Sequence, residues 1–523
     1  MDAIFTLSGG HVMPIYEGCR HEGVRVVDVR HEQAAAHAAE AYGRMRRHAG
    51  VAVVTAGPGV TGVVTAVANC HVAQTPLVVI GGARPLAQAE RRALQELDQL
   101  SLFRPITKWS ALCTDVERIP ELVATAFRHA LAQPRGPVYL ELPMDVLFAE
   151  AAAENVGPSR TEARTFGDPR ELMKAAALLS EAERPAIVAG SGIWWDRAWR
   201  QLAAFAENGR LPVYLNGSAR GALPPDHELF FQHSRATALE AADAVCVIGT
   251  PLDFRLRFGR IADDAKLVHI HADATELGRN RAPDAGIVGD CAAVLGILAD
   301  GVKNPRRPRE PWFDRLRAAE QTWWDEHRGE IESDAAPLHH YRLGAELDRV
   351  LDPGTVVIGD GGDVVAAVSR VLRVHRPGHW LDPGSFGCLG VGPPYALGVK
   401  VADPAKQVVV VAGDGAFGLN GFEFETLTRF ELPVTVLIGN DAAWGEIRIP
   451  QIGLYGAEGE VATRLAPTRY DRLVEAFGGH GEHVERPAEL APALERALGS
   501  GRPAIVNVML DPDAMAGHPY RGM

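Results

Sequence analysis

Short apolar runs alternate with helix-period segments along the whole chain. Near the start, VRVVDV (24–29) reads as a strand, and HEQAAAHAAEAYGRMRR (31–47) follows with helical spacing. VAVVTA (51–56) is a second strand, broken at Gly57-Pro58-Gly59. A helix near 61–73 and a strand PLVVIGG (76–82) come next, and PVYLELP (137–143) is a later strand. Continuous apolar runs separated by helices predict βαβ units and a buried parallel sheet.

The pattern then lapses. AAAENVGPSRTEARTFGDP (151–169) has no apolar period and reads as a linker. Strands return at PAIVAGSG (185–192), LPVYLN (211–216), AVCVIGT (244–250) and KLVHIHAD (266–273), and the polar KNPRRPREP (303–311) closes that block. A third block carries TVVIGD (355–360), QVVVVAGDG (407–415), VTVLIGN (434–440) and AIVNVML (504–510). The expected plan is three doubly wound parallel α/β domains, at 1–150, 168–303 and 338–515. The length of 523 residues suits that count.

Composition narrows the partners. A formal charge of −13 argues against nucleic acid or an anionic membrane surface. No run is long and apolar enough to span a bilayer, and the N-terminus lacks the pattern of a secretory signal. The six cysteines have no CxxC spacing, which points to a reduced, cytoplasmic setting. A serine hydrolase is disfavoured because no GxSxG elbow occurs.

QVVVVAGDGAFGLNGFEFETLTRFELPVTVLIGNDAAW (407–444) is the segment richest in chemistry. One buried strand runs into Gly413-Asp414-Gly415 and the next ends at Asn440-Asp441. In a parallel sheet both ends fall at the carboxyl edge, where ligands bind. The glycines admit a phosphate, the following helix turns its N–H groups toward it, and carboxylates there can hold magnesium. A lone GDG also marks ordinary tight turns; the second polar strand end is what gives it weight.

This spacing resembles the signature of thiamine-diphosphate-dependent enzymes, a GDG followed by a paired Asn. The resemblance implies thiamine diphosphate and Mg2+ as cofactors, with Asp414, residue 441 and the Ala443 carbonyl as metal ligands. The chain departs from the pattern by carrying Asp441 where the family has Asn. In the family a Glu after the first strand hydrogen-bonds the aminopyrimidine, which then removes the thiazolium C2 proton. Such a carboxyl must be buried, with its pKa raised. Glu32, in VVDVRHEQ, stands at that place, although a Glu in a first helical turn also serves as plain dipole compensation.

The likeness extends over nearly the whole chain, in the domain order of the acetolactate synthase, benzaldehyde lyase, oxalyl-CoA decarboxylase and 2-hydroxyacyl-CoA lyase group. It implies a dimer whose active site joins Glu32 of one copy to the third domain of the other, and a tetramer beyond that. SFGCLGVGPPYALG (385–398) matches the loop under the cofactor, with Leu389 as the apolar wedge and the Gly387 carbonyl as an acceptor. Leu389 also fits an ordinary core position. Further cofactor contacts are implied at Gly57, Pro58, Gly413, Gly415, Ala416 and Trp444.

His11 aligns with an active-site His of benzaldehyde lyase, or is a structural or solvated residue. Gln95 in LQELDQLSLFRPITKW is the candidate glutamine beside the thiazolium; Gln99 reads equally as a helix-surface residue. GTPLDFRLRFG (249–259) resembles a central-domain segment of the CoA-using members. Arg255 and Arg257 there, with Asp273, form a nucleotide set for ADP or CoA, against a solvated edge strand as the plainer account. The short C-terminal tail counts against CoA. Family members carry about another strand and helix ahead of DAIFTLSGG, which leaves either a late start or a missing first helix.

The reading is a carbon–carbon lyase or carboligase acting on a small carbonyl or acyl-CoA substrate, of the 2-hydroxyacyl-CoA lyase and benzaldehyde lyase type. Acetolactate synthase is the near alternative and a non-catalytic cofactor-binding relative the remote one.

Overall fold

The computed structural model describes residues 2–152, 163–303 and 305–515. Three all-parallel sheets organise them. The first has six strands in the order β2-β1-β3-β4-β6-β5: β1 (Ala3–Leu7), β2 (Arg25–Asp28), β3 (Gly50–Val54), β4 (Leu77–Ala83), β5 (Trp109–Leu112) and β6 (Pro137–Pro143). The second has five, β11-β10-β9-β7-β8: β7 (Pro185–Ala189), β8 (Val213–Leu215), β9 (Ala244–Ile248), β10 (Lys266–His271) and β11 (Ala285–Val288). The third has six, β13-β12-β14-β15-β17-β16: β12 (Val356–Asp360), β13 (Trp380–Leu381), β14 (Val408–Gly413), β15 (Thr435–Asn440), β16 (His480–Val484) and β17 (Ala504–Met509).

The expected α/β class is therefore correct, and each strand seen in the apolar pattern is present. The central strands are buried on both faces and consist largely of Val, Ile, Leu and Ala, as a helix-covered parallel sheet requires. The pattern reading overlooked β1, β5, β11, β13 and β16. The helix expected near 61–73 is two, Pro58–Gly62 and Val64–Val72, parted at Val63.

Of the proposed linker at 151–169, residues 153–162 lie outside the described residues; its far end starts the helix Pro169–Glu181, and Phe166 bridges Gly289. The polar stretch at 303–311 is anchored rather than free. Arg309 is buried and donates to the carbonyls of Leu179, Ala182 and Gly209.

The first and third sheets share one core. Helix Glu32–Arg46 lies on helix Gly392–Ala402 so closely that a Cβ at Gly398 would stand 2.1 Å from the Ala38 carbonyl oxygen. Into this apolar contact the chain buries Glu40, which accepts from Arg44 at 2.5 Å and from Asn69. Burial alone would raise the Glu40 carboxyl; the Arg44 guanidinium overrides it and holds the pKa down at about 2. The pairing fixes how the Glu32 half of the chain sits on the Asp414 half.

Candidate functional site

β14 and β15 are adjacent and in register, so both polar ends emerge side by side at the carboxyl edge of the third sheet. Asp414 is 1% and Asp441 7% exposed. One oxygen of each is spent locally: Asp414 Oδ1 accepts from Gly415 N at 2.8 Å and Asp441 Oδ1 from Ala443 N at 3.1 Å. Among the described residues the Oδ2 atoms have no hydrogen-bond partner. Burial, reinforced by the neighbouring carboxylates, raises Asp414 to about 6 and Asp441 to about 8.

Two buried carboxylates with unpaired oxygens call for a cation. The residues thus suit magnesium, and Ala443 is tied to the second of them through its N–H. Gly415 is dictated by packing: a Cβ would meet the Trp444 ring at 2.6 Å. Above Gly413 the backbone is open, with nothing within 4 Å of where a Cβ would stand. Ala416 is buried behind them.

The sequence reading missed a third carboxylate here. Asp363 follows β12, whose end Asp360-Gly361-Gly362-Asp363 repeats the Gly- and Asp-rich look of the GDG strand. His340, Asp363 and Asp441 offer ligand atoms within 4.8 Å of one another. Glu446 stands nearby, its carboxyl raised by burial and by Asp363.

β12 also fixes the loop under the site. Asp360 is fully buried and accepts from Gly390 N at 2.9 Å and Gly392 N at 2.7 Å. Asn420, at the end of the helix that begins with Asp414, donates to the Gly390 carbonyl at 2.8 Å. Leu389 is thereby held from both sides and is half-buried, not a closed core leucine. Gly387, with φ 71°, is exposed in the left-handed region that favours glycine.

The other group forms at the carboxyl edge of the first sheet. Glu32 opens its helix, half-buried, against the turn at Gly57. Its carboxylate lies over Gly59 and Gly62, where a Cβ would come 3.6 and 3.0 Å from its oxygens. Gly57 has φ 59° and packs on the backbone of Gln95, so Pro58 enters the short helix behind it.

Gln99 is no surface residue. It is 2% exposed, accepts from Gly57 N at 2.7 Å and donates to Gly82 O and Tyr139 Oη. It braces the turn, while Gln95 sits half-buried in the preceding loop. His11 is buried with Nδ1 3.1 Å from Thr55 Oγ1, and burial lowers its pKa, so it is neutral at pH 7. Glu423, unforeseen, reaches from the third domain to accept the Arg30 N–H at 3.0 Å, two residues before Glu32. Among the described residues no hydrogen bond joins Glu32, His11 or Gln95 to Asp414 or Asp441 within one chain.

The nucleotide candidates separate. Arg255 and Arg257 line a cavity of 930 Å³ between the second and third sheets; Asp273 does not. Arg255 pairs with Asp253 at 2.6 Å, Arg257 with Glu240 at 2.6 Å, and Asp273 caps its own turn through Thr275. The segment 249–259 is a loop with a tight turn rather than an edge strand. No helix among the described residues is long and apolar enough to cross a membrane.

Three family descriptions match in order: thiamine pyrophosphate enzyme N-terminal TPP binding domain over residues 1–102, central domain over 172–298, and C-terminal TPP binding domain over 360–508. The chain is 42% identical over 517 residues to acetolactate synthase large subunit IlvG of Mycobacterium tuberculosis, covering 98% of this chain and 93% of that one. It is 33% identical over 561 residues to 2-hydroxyacyl-CoA lyase 2 of Homo sapiens, covering 97% and 87%. The enzyme of that name from Danio rerio is also 33% identical, over 554 residues. By these matches the chain belongs to the thiamine-diphosphate-dependent enzymes that make or break carbon–carbon bonds.

Proposed function

We propose that this enzyme cleaves or forms the bond between the carbonyl carbon and C2 of 2-hydroxyacyl-CoA thioesters. The observation that carries this is the 930 Å³ cavity. Its lining holds seven arginines, among them Arg220, Arg260 and Arg370, with the exposed rings of Phe254 and Phe258 at hand. Phosphates suit the guanidinium groups and a purine suits the rings. Helix Asp363–Val371 runs from the Asp441 cluster to this cavity, which Ala366, Ser369 and Arg370 line. Nine residues span about 14 Å, a distance for an extended arm between a nucleotide end and a reacting carbonyl.

In this reading Asp414, Asp441 and the Ala443 carbonyl would hold Mg2+. Bound thiamine diphosphate supplies a nucleophilic carbon and an electron sink. Glu32 would hold a proton at the aminopyrimidine, Leu389 would support the cofactor, and neutral His11 and Gln95 would orient the substrate carbonyl. Glu32 is half-exposed in a single chain, and Leu94, Leu419 and Phe422 present bare apolar surface at 77%, 55% and 65%. Both features support a second copy covering the site, hence a dimer, with a tetramer built from it. The six free cysteines fit a reduced cytoplasm.

The 42% identity to acetolactate synthase large subunit IlvG favours a second reading, decarboxylative joining of two 2-oxo acids. Turnover with a 2-hydroxyacyl-CoA and with pyruvate, in parallel, decides between them. Acetolactate formed at the higher rate removes the first reading, and Glu32→Gln with unchanged turnover removes both.

A further inference from the structure

We infer that the site takes two divalent cations, the second held by Asp363, Asp441 and His340. It rests on the reading above for the first cation, at Asp414 and Asp441. Three carboxylates, Asp414, Asp441 and Asp363, stand together at this strand edge, and Asp363 adds to the raising of the other two by burial. Among the described residues no Lys or Arg pairs with any of the three; their titratable neighbours are His340 and Glu446.

The geometry suits a second ion. The ligand atoms of His340, Asp363 and Asp441 lie within 4.8 Å of one another, with His340 Nε2 3.8 Å from Asp363 Oδ2. His340 is 1% and Asp441 7% exposed. The unpartnered Oδ2 atoms of Asp363 and Asp441 converge beside Gly445, where a Cβ would stand 2.2 and 2.6 Å from them. Asp363 Oδ1 is engaged by Val364 N at 2.8 Å, which leaves Oδ2 for the ion. A histidine nitrogen with two carboxylates is a donor set for Mn2+ or another transition ion as well as for Mg2+. Asp441 would serve both ions through its unpartnered oxygen.

Mn2+ titration of the metal-free full chain with saturating thiamine diphosphate, read from the free-ion electron paramagnetic resonance signal, tests this. Two Mn2+ per chain are expected, with a spectrum broadened by the neighbouring ion. Asp363→Asn and His340→Gln should each bind one and keep their affinity for thiamine diphosphate, measured by tryptophan quenching. One Mn2+ in the wild type, or two retained in both variants, overturns the second site. No bound Mn2+ at all overturns the reading of the first site instead.

Discussion

Asp360→Asn probes how burial at the site is balanced. Asp360 is wholly enclosed, and burial lifts its carboxyl to about 6 although two loop N–H groups favour the ionised form. The gap from the ordinary 3.8 is worth about 3 kcal/mol. The folded value is the higher one, so the folded chain keeps a proton that the unfolded chain has lost. Its stability therefore falls as pH rises through the window from about 4 to about 6. Asn cannot titrate. It also offers one acceptor where the carboxylate offers two, so a buried N–H of Gly390 or Gly392 loses its partner, at about 1–3 kcal/mol.

Urea midpoints of both proteins from pH 4.5 to 7.5 should thus diverge. Wild type gains about 2 kcal/mol on the variant as pH falls across this window, and the variant loses turnover at pH 7.5 because the Leu389 loop is released. Parallel pH curves would refute the burial-raised carboxyl. Unchanged turnover would refute the loop clamp.

Glu423→Gln should lower kcat with thiamine diphosphate affinity kept, since the Arg30 N–H that sets the Glu32 turn loses a charge-assisted bond; equal kcat counts against it. Gly398→Val should destabilise by 3 kcal/mol or more, on the order of other overpacked cores, because its Cβ meets the Ala38 carbonyl; calorimetry reads this directly. Arg370→Ala and Arg260→Ala should raise KM for a CoA thioester about tenfold, roughly 1.4 kcal/mol, and leave KM for pyruvate unchanged.

The parts of the fold that were legible share one trait, a run of consecutive apolar residues. VVVV at 408–411 announces a buried central strand by itself. HGEHV (480–484), WL (380–381) and AGIV (285–288) do not, because an edge strand is short or half-solvated and leaves little apolar signal. Asp414 and Asp441 could be paired because one βαβ unit links them. Asp363 and His340 come from other units and meet them only when the sheet assembles. Gln95 and Gln99 look alike in sequence, and only packing shows that Gln99 is enclosed by Gly57, Gly82 and Tyr139. The arginine cavity arises between two domains, so no single segment contains it.

The central claim is that the chain uses thiamine diphosphate on a 2-hydroxyacyl-CoA. Enzyme, Mg2+ and thiamine diphosphate incubated with a 2-hydroxyacyl-CoA, analysed by mass spectrometry, should yield an aldehyde shortened by one carbon and formyl-CoA in equal amounts. Glu32→Gln should yield neither. An intact thioester beside rapid conversion of pyruvate to acetolactate would contradict the account.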